Sequence, residues 1–226
     1  MSSIFRITKK IYRAVLPGFI RGSFVVTKLK GFLSHSLIYD SEYYDHVVEG
    51  PAIKSAGVIS DSIIAEFKPK RVIDVGCGTG ALLEALREKG CEVKGLEYSN
   101  AALEYCRARQ LNVSKFNLGK DIFNDNCTFD VAISIEVAEH LPERVSDRYI
   151  DLLTKLSHTI IFTAAPPGQG GKGHVNEHPP SYWLSKYRQR GFEYNVELSN
   201  RLKESWKAFG SVQSWYFQNL MIFRKL

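Results

Sequence analysis

The chain has 226 residues, of which 44% are hydrophobic and 24% are charged, and its formal net charge is +6. This length and composition predict a single globular domain with a sizeable buried core, and they require no second domain. The apolar stretches are short and broken by charge, which argues against a membrane-spanning helix and against a secretory signal. Four cysteines show no zinc-site spacing, which favours reduced thiols and a cytoplasmic protein.

Positive charge is concentrated in residues 1–38, the N-terminal arm, which holds seven Lys or Arg and no Asp or Glu. Since the whole chain carries +6 and the arm +7, the remainder carries −1. Ile4, Ile7 and Ile11 recur at helical spacing, and Pro17 should end this basic amphipathic helix. A basic amphipathic helix of this kind can pack across the domain as a lid or make peripheral contact with the inner membrane surface. A transit peptide has a similar composition and is a third alternative. We take residues 39–226 as one domain.

Alternating helices and apolar strands follow the arm. The pattern predicts a helix over residues 51–67, a strand over 72–75 and a helix over 81–89. Gly76, Gly78 and Gly80 separate that first strand from its helix, and glycines there permit unusual backbone angles and close approach of a ligand.

The second and third strands each end in a polar residue. Glu97 ends the second strand, about 20 residues beyond the glycines, where a carboxylate can accept two hydrogen bonds from a ribose diol. A helix over residues 101–109 follows. Asn117 follows the third strand, and Asp121 is the alternative at that position.

A fourth strand over residues 129–135 runs into Glu136, Glu139 and His140, and a helix over 145–156 leads to a fifth strand at 159–164. The next loop, residues 165–180, has four glycines in six positions and carries His174, Glu177 and His178. Loops at the carboxyl ends of parallel strands commonly carry specificity. The same three side chains are conceivable metal ligands, but zinc sites usually need further ligands, so we predict no metal. Residues 192–196 and 220–224 predict an antiparallel strand pair.

The run Asp74-Val-Gly-Cys-Gly-Thr-Gly80, the spaced Glu97 and the segment Phe129–Pro142 together resemble the class I S-adenosylmethionine (SAM)-dependent methyltransferases. The loop around His174 with Tyr182-Trp183 is similar to bacterial enzymes of that family that act on sugars or glycans. The resemblance implies a Rossmann-like α/β fold: a seven-stranded, mostly parallel sheet with helices on both faces and an antiparallel C-terminal pair. It also implies SAM as the cofactor and S-adenosylhomocysteine (SAH) as its product.

Several residues acquire expected roles through this resemblance. A tyrosine before the glycines, Tyr43 or Tyr44, would reach the SAM carboxylate, although aromatic packing explains both equally well. The expected cofactor contacts are Asp74, Gly76, Cys77, Gly78, Gly80, Glu97, Tyr98, Asn117, Leu118, Glu136 and Tyr44.

The chemistry expected from these residues is methylation of a hydroxyl on a small molecule, such as a sugar or glycan precursor. A hydroxyl is a weak nucleophile until its proton is removed, and a histidine titrating near neutrality is the obvious base. His178 or His174 is favoured and His140 is the close alternative. N-methylation and a non-catalytic SAM-binding partner at a membrane surface remain alternatives. In amino-directed DNA methyltransferases a Pro-Pro motif follows the fourth strand. The same position in this chain reads Ile135-Glu-Val-Ala138, and the absence of the motif there argues against nucleic acid as the substrate.

Overall fold

The computed structural model describes residues 39–124 and 128–226, so the predictions made for the N-terminal arm lie outside the described residues. None of the described helices has the length and apolar character needed to span a membrane. The helices are α1 Ser41–Tyr43, α2 Glu49–Phe67, α3 Ala81–Glu88, α4 Asn100–Ala108, α5 Ser146–Leu156, α6 Pro180–Arg188, α7 Val196–Ala208 and α8 Ser214–Gln218. The strands are β1 Arg71–Val75, β2 Glu92–Glu97, β3 Val113–Lys115, β4 Val131–Ser134, β5 Thr159–Phe162, β6 Phe192–Tyr194 and β7 Met221–Lys225.

The seven strands form one sheet in the order β3-β2-β1-β4-β5-β7-β6. Strands β1 to β5 pair in parallel, whereas β7 lies antiparallel between β5 and β6, with Ile161 opposite Ile222. The chain crosses from the β3 edge back to β4 beside β1, which opens a crevice at the carboxyl ends of β1 and β4. The predicted fold class is confirmed.

Successive residues of the strands point to opposite faces, and each face has its own core. Ile73 and Val75 of β1 pack with α5 and α6 residues such as Ile150 and Trp183. Val72 packs on the other face with residues of α2, α3 and α7. Because both faces are covered, the central strands are almost uniformly apolar, and this is why they could be recognised from the sequence.

Helices α6, α7 and α8 are absent from the sequence prediction. Helix α6 begins at Pro180, and a proline at this position costs no hydrogen bond because the first helical N–H groups lack partners anyway. Helix α7 is capped by the Asn195 side chain and buries Leu198, Leu202 and Trp206 at helical spacing. Residues 44–48 form a π-helical turn between α1 and α2, so helical backbone begins at Ser41, ten residues before the predicted start at Pro51.

Candidate active site

The turn after β1 brings three glycines into left-handed backbone conformations. Gly76, Gly78 and Gly80 have φ values of +81°, +54° and +81°. At Gly76 there is also no room for a side chain, because a Cβ atom would lie 2.5 Å from Cγ2 of Val137. The turn therefore keeps its backbone bare on the side that faces the crevice.

Glu97 at the end of β2 is tied to that turn. One carboxylate oxygen accepts the Gly78 N–H at 2.9 Å, and the other accepts the N–H groups of Tyr98 and Ser99, each at 2.7 Å. Burial raises the pKa of Glu97, while these three hydrogen bonds act against the rise. Asp74 lies beneath the turn. Its burial, and to a smaller extent the nearby charge of Glu97, raises its pKa to about 8.

A cavity of about 900 Å³ opens beyond the carboxyl ends of β1, β2 and β4. Its walls are the glycine turn, the segment Tyr39–Val48 in front of α2, and residues 116–120 after β3. The opposite end is formed by residues 135–145 after β4 and by the glycine-rich loop at 169–174. The cavity is thus long enough to join the glycine turn to the histidines.

All but one of the predicted cofactor contacts lie in the wall of this cavity. Gly80 is the exception; it is the N-cap of α3, and a Cβ atom there would meet the side chains of Leu111 and Cys106. The side chain of Asn117 caps the Gly119 N–H, and Asp121, which does not line the cavity, caps the Asn117 N–H. The lining members of the predicted set are Tyr44, Asp74, Gly76, Cys77, Gly78, Glu97, Tyr98, Asn117, Leu118 and Glu136.

The two favoured histidines are separated by the structure. His174 lines the cavity, and its Nδ1 lies 2.8 Å from Oε1 of Glu177. Glu177 in turn accepts the N–H groups of Gly168 and Gly170, so it folds the loop around the imidazole. His178 is not part of the cavity wall; its ring stacks on Tyr182 with centroids 3.8 Å apart.

His140 lines the cavity beside His174, with their ring centroids 4.9 Å apart. Its Nδ1 lies 2.9 Å from the hydroxyl oxygen of Tyr39. Tyr39 comes from the segment before α2, so two distant parts of the chain meet at this imidazole. No sequence pattern assigns a role to Tyr39, because its position depends on how the segment before α2 folds back over the sheet.

Two acidic residues follow β4. Glu136 adopts a left-handed conformation, with φ of +54°, and its carboxylate accepts hydrogen bonds from Gln169 and Asn219. Glu139 is fully buried, and burial together with the neighbouring Glu136 raises its pKa. Its carboxylate and the ring nitrogens of His140 and His174 offer ligand atoms that all lie within 4.8 Å of one another. A single sequence does not show that Glu139 is buried close to the two histidines, so this group of three side chains could not be predicted.

Trp215 is 39% exposed and lines the cavity together with Tyr216. Both residues belong to α8, the short helix that the sequence did not reveal. Their aromatic rings add an apolar wall to the cavity.

Comparison with known proteins finds a family model that matches part of the chain. Residues 58–159 match the family model described as a methyltransferase domain. A ubiquinone biosynthesis O-methyltransferase from Alkalilimnicola ehrlichii is 27% identical over 146 residues, which are 62% of this chain and 54% of that protein. The chain therefore spans about half the length of the curated relatives it matches.

Solved structures share the fold at low sequence identity. The SAM-bound amino pentose methyltransferase CalS10 from Micromonospora echinaspora has a TM-score of 0.62 at 16% identity, covering 81% of this chain and 97% of that one. The sugar N-methyltransferase KedS8 from Streptoalloteichus has a TM-score of 0.58 at 13% identity, covering 81% and 91%. Together with the family match, this shared fold confirms the resemblance to class I methyltransferases that the motifs indicated.

Proposed function

We propose that the chain, whose residues 58–159 match a methyltransferase domain model, transfers a methyl group from SAM to a hydroxyl of a small molecule. The observation that carries this proposal is the single cavity that runs from the glycine turn and Glu97 to His140 and His174. One end has the bare backbone and carboxylate that suit a nucleoside, and the other end has titratable imidazoles beside an aromatic wall.

The cofactor end follows from the residues already described. Glu97 would accept hydrogen bonds from the ribose hydroxyls, and Asn117 and Leu118 would lie beside the adenine. Glycines at the turn let the amino acid part of SAM approach the backbone. The segment Tyr39–Val48 covers this end, and buried Tyr44 faces both Glu97 and Ser99.

The transfer itself is an in-line displacement. The acceptor oxygen attacks the methyl carbon, the carbon–sulfur bond breaks, and SAH leaves with the bonding electrons. The hydroxyl proton must leave as well, and an imidazole at this end of the cavity would take it. The positions of His174 and His140 in the cavity wall support either of them as the base in this proposal, and the stacking of His178 on Tyr182 outside that wall favours leaving it out.

A sugar or another hydroxylated metabolite remains our proposed acceptor. The name of the curated relative supports O-methylation, and the names of CalS10 and KedS8 support sugar-like acceptors. The name of KedS8 also keeps N-methylation of a sugar as the second candidate. An amine acceptor would demand less of a base, because a neutral amine nitrogen is nucleophilic before it loses a proton, whereas a neutral hydroxyl is not.

Calorimetric titration with SAM and SAH, with NADH as a control ligand, tests whether SAM is the cofactor. Binding of both sulfur compounds and no binding of NADH is expected, followed by methyl transfer to members of a panel of hydroxylated sugars and phenols. His174→Ala should remove most of the turnover and keep SAM affinity, while His178→Ala, outside the cavity, should keep both. Equal losses in the two variants would contradict the assignment of the acceptor end.

A further inference from the structure

A second cavity, of about 430 Å³, lies apart from the candidate active site and shares none of its lining residues. Most of its wall is apolar: Ala164 and Pro166 follow β5, Leu184 lies in α6, and Met221 begins β7. Walls of this kind suit the apolar body of a small molecule. No acidic side chain is found among the described residues of the wall, so nothing there would repel a negative charge.

Lys203 of α7 is the only charged residue among the described residues that line this second cavity. Its side chain is half-buried, and this burial lowers the pKa of its ammonium group. Within the described part of the chain no carboxylate pairs with Lys203: on the same helix Glu197 pairs with Arg201 at 3.8 Å, and Glu204 is exposed. A partly desolvated cation therefore faces the cavity without a negative partner.

Two further features of the wall favour a negative charge. Pro180 lines the cavity and is the first residue of α6, so the end of that helix with the partial positive charge lies at the wall. The side chain of Gln218 also lines the cavity, and an amide can donate hydrogen bonds to an anionic oxygen. A single lysine matches a single negative charge, which suits a carboxylate.

We propose that the second cavity binds a small monocarboxylate with an apolar or aromatic body, and that Lys203 pairs with its carboxylate group. The apolar wall would cover the body of the ligand, and the carboxylate would supply the negative partner of the half-buried ammonium group. The inference does not rest on the proposed function, because no residue of this wall belongs to the candidate active site.

The side chain of Asn219 lies between the two cavities. It lines the second cavity, while its Nδ2 donates to Glu136 at 3.2 Å and to Gln169 at 2.8 Å, and both of these residues line the first cavity. A ligand of the second cavity would therefore bind beside the methyl acceptor and would not take its place.

Titration of the full chain with benzoate, followed by calorimetry and by backbone amide NMR shifts, tests the proposal. Benzoate is a fragment-sized probe, so we expect millimolar binding, and benzyl alcohol, a neutral ring of similar size, should bind about ten-fold more weakly. Lys203→Met removes the charge from an unbranched side chain and should weaken benzoate binding by about ten-fold or more. Lys207→Met is the matched control, because Lys207 is exposed on the same helix, and it should bind benzoate as the parent does.

The pH dependence gives an independent readout. Only the ammonium form of Lys203 attracts a carboxylate, so benzoate affinity should fall as the pH rises through the pKa of Lys203. Because burial lowers that pKa, the fall should begin at a lower pH than for an exposed lysine. Leu184→Trp, which fills part of the cavity and changes no charge, should also weaken benzoate binding, and circular dichroism checks that each variant folds.

Four outcomes would each overturn the proposal. They are the absence of benzoate binding, equal binding of benzoate and benzyl alcohol, equal affinities of Lys203→Met and Lys207→Met, and amide shifts at Gly78 and Glu97 in place of Asn219. The last would put benzoate in the first cavity. Should Leu184→Trp not fold, the two lysine variants decide the matter.

Discussion

Gly76 shows how a single residue is constrained twice, by its backbone angle and by its neighbour. Its φ of +81° disfavours any side chain, and Val137 fills the space where a Cβ would lie. Gly90 shares the first constraint with φ of +90° but has open space around it. Comparing substitutions at Gly76 and Gly90 therefore separates the cost of backbone strain from the cost of a steric clash with Val137.

We expect Gly76→Ala to lower the free energy of unfolding by more than Gly90→Ala, whose cost should be about 1–3 kcal/mol from strain alone. SAM affinity should fall in Gly76→Ala and stay unchanged in Gly90→Ala, because only the former disturbs the turn beside the cavity. Urea unfolding and calorimetry measure the two effects. Equal costs would mean that Val137 moves aside without penalty.

Asp74 makes stability depend on pH. Burial and the nearby Glu97 raise its pKa to about 8, well above the value of the unfolded chain. A group with a raised pKa stabilises the folded state below its unfolded pKa, and that contribution is lost as the pH rises through the folded value. The free energy of unfolding should therefore fall between about pH 4 and pH 8.

Asp74→Asn should make this decline with pH shallower, because the amide does not titrate. Some decline should remain, since burial also raises the pKa of Glu97. Urea unfolding of both proteins at several pH values measures the slopes, and identical slopes would mean that Asp74 titrates normally in the folded state.

At the scale of elements, the loop between β5 and α6 depends on Asn176. This buried side chain donates from Nδ2 to the Ala138 carbonyl oxygen at 3.3 Å and to the Ser146 hydroxyl at 3.1 Å. It thereby ties the loop that carries His174 to the turn that carries His140 and to the start of α5. A loop rich in glycine would otherwise pay a large entropy cost for one conformation.

Asn176→Ala should lower the free energy of unfolding by about 1–3 kcal/mol, because it leaves buried polar groups without partners. The loop should also be cleaved faster in limited proteolysis. Asn112→Ala is the control, since Asn112 is exposed and its replacement should cost no more than about 0.5 kcal/mol. Unchanged cleavage in Asn176→Ala would show that the loop is held by the backbone N–H groups of Val175 and Asn176 alone, which donate to the Glu139 carbonyl oxygen.

At the scale of the whole molecule, the chain closes its sheet with its last strand. β7 lies between β5 and β6, and its Ile222 and Phe223 are buried in the cores of opposite faces. The cavity likewise combines residues from Tyr39 to Tyr216. Fold and site are therefore properties of the full domain, and the family match over residues 58–159 covers neither the loop that carries His174 nor β7.

The central strands and the glycine turn could be predicted because they depend on interactions between residues that are close in the sequence. The apolar strands, the glycine turn and the carboxylate of Glu97 follow one another within 27 residues, and a parallel sheet brings strand ends together. The helices α6 to α8 were not predicted, since their apolar positions are few and the proline and aromatic residues around them also suit loops.

The sequence by itself determined the α/β fold class and the run of strand, glycine turn and helix before Glu97, because strand periodicity and turn chemistry act between near neighbours. Only the tertiary structure decided that His140 and His174 meet while His178 turns away to Tyr182. It also buried Glu139 close to both imidazoles and placed Tyr39 in the cavity wall. These contacts join residues that lie far apart in the chain, and their geometry depends on packing and loop conformation, which no local pattern of residues specifies.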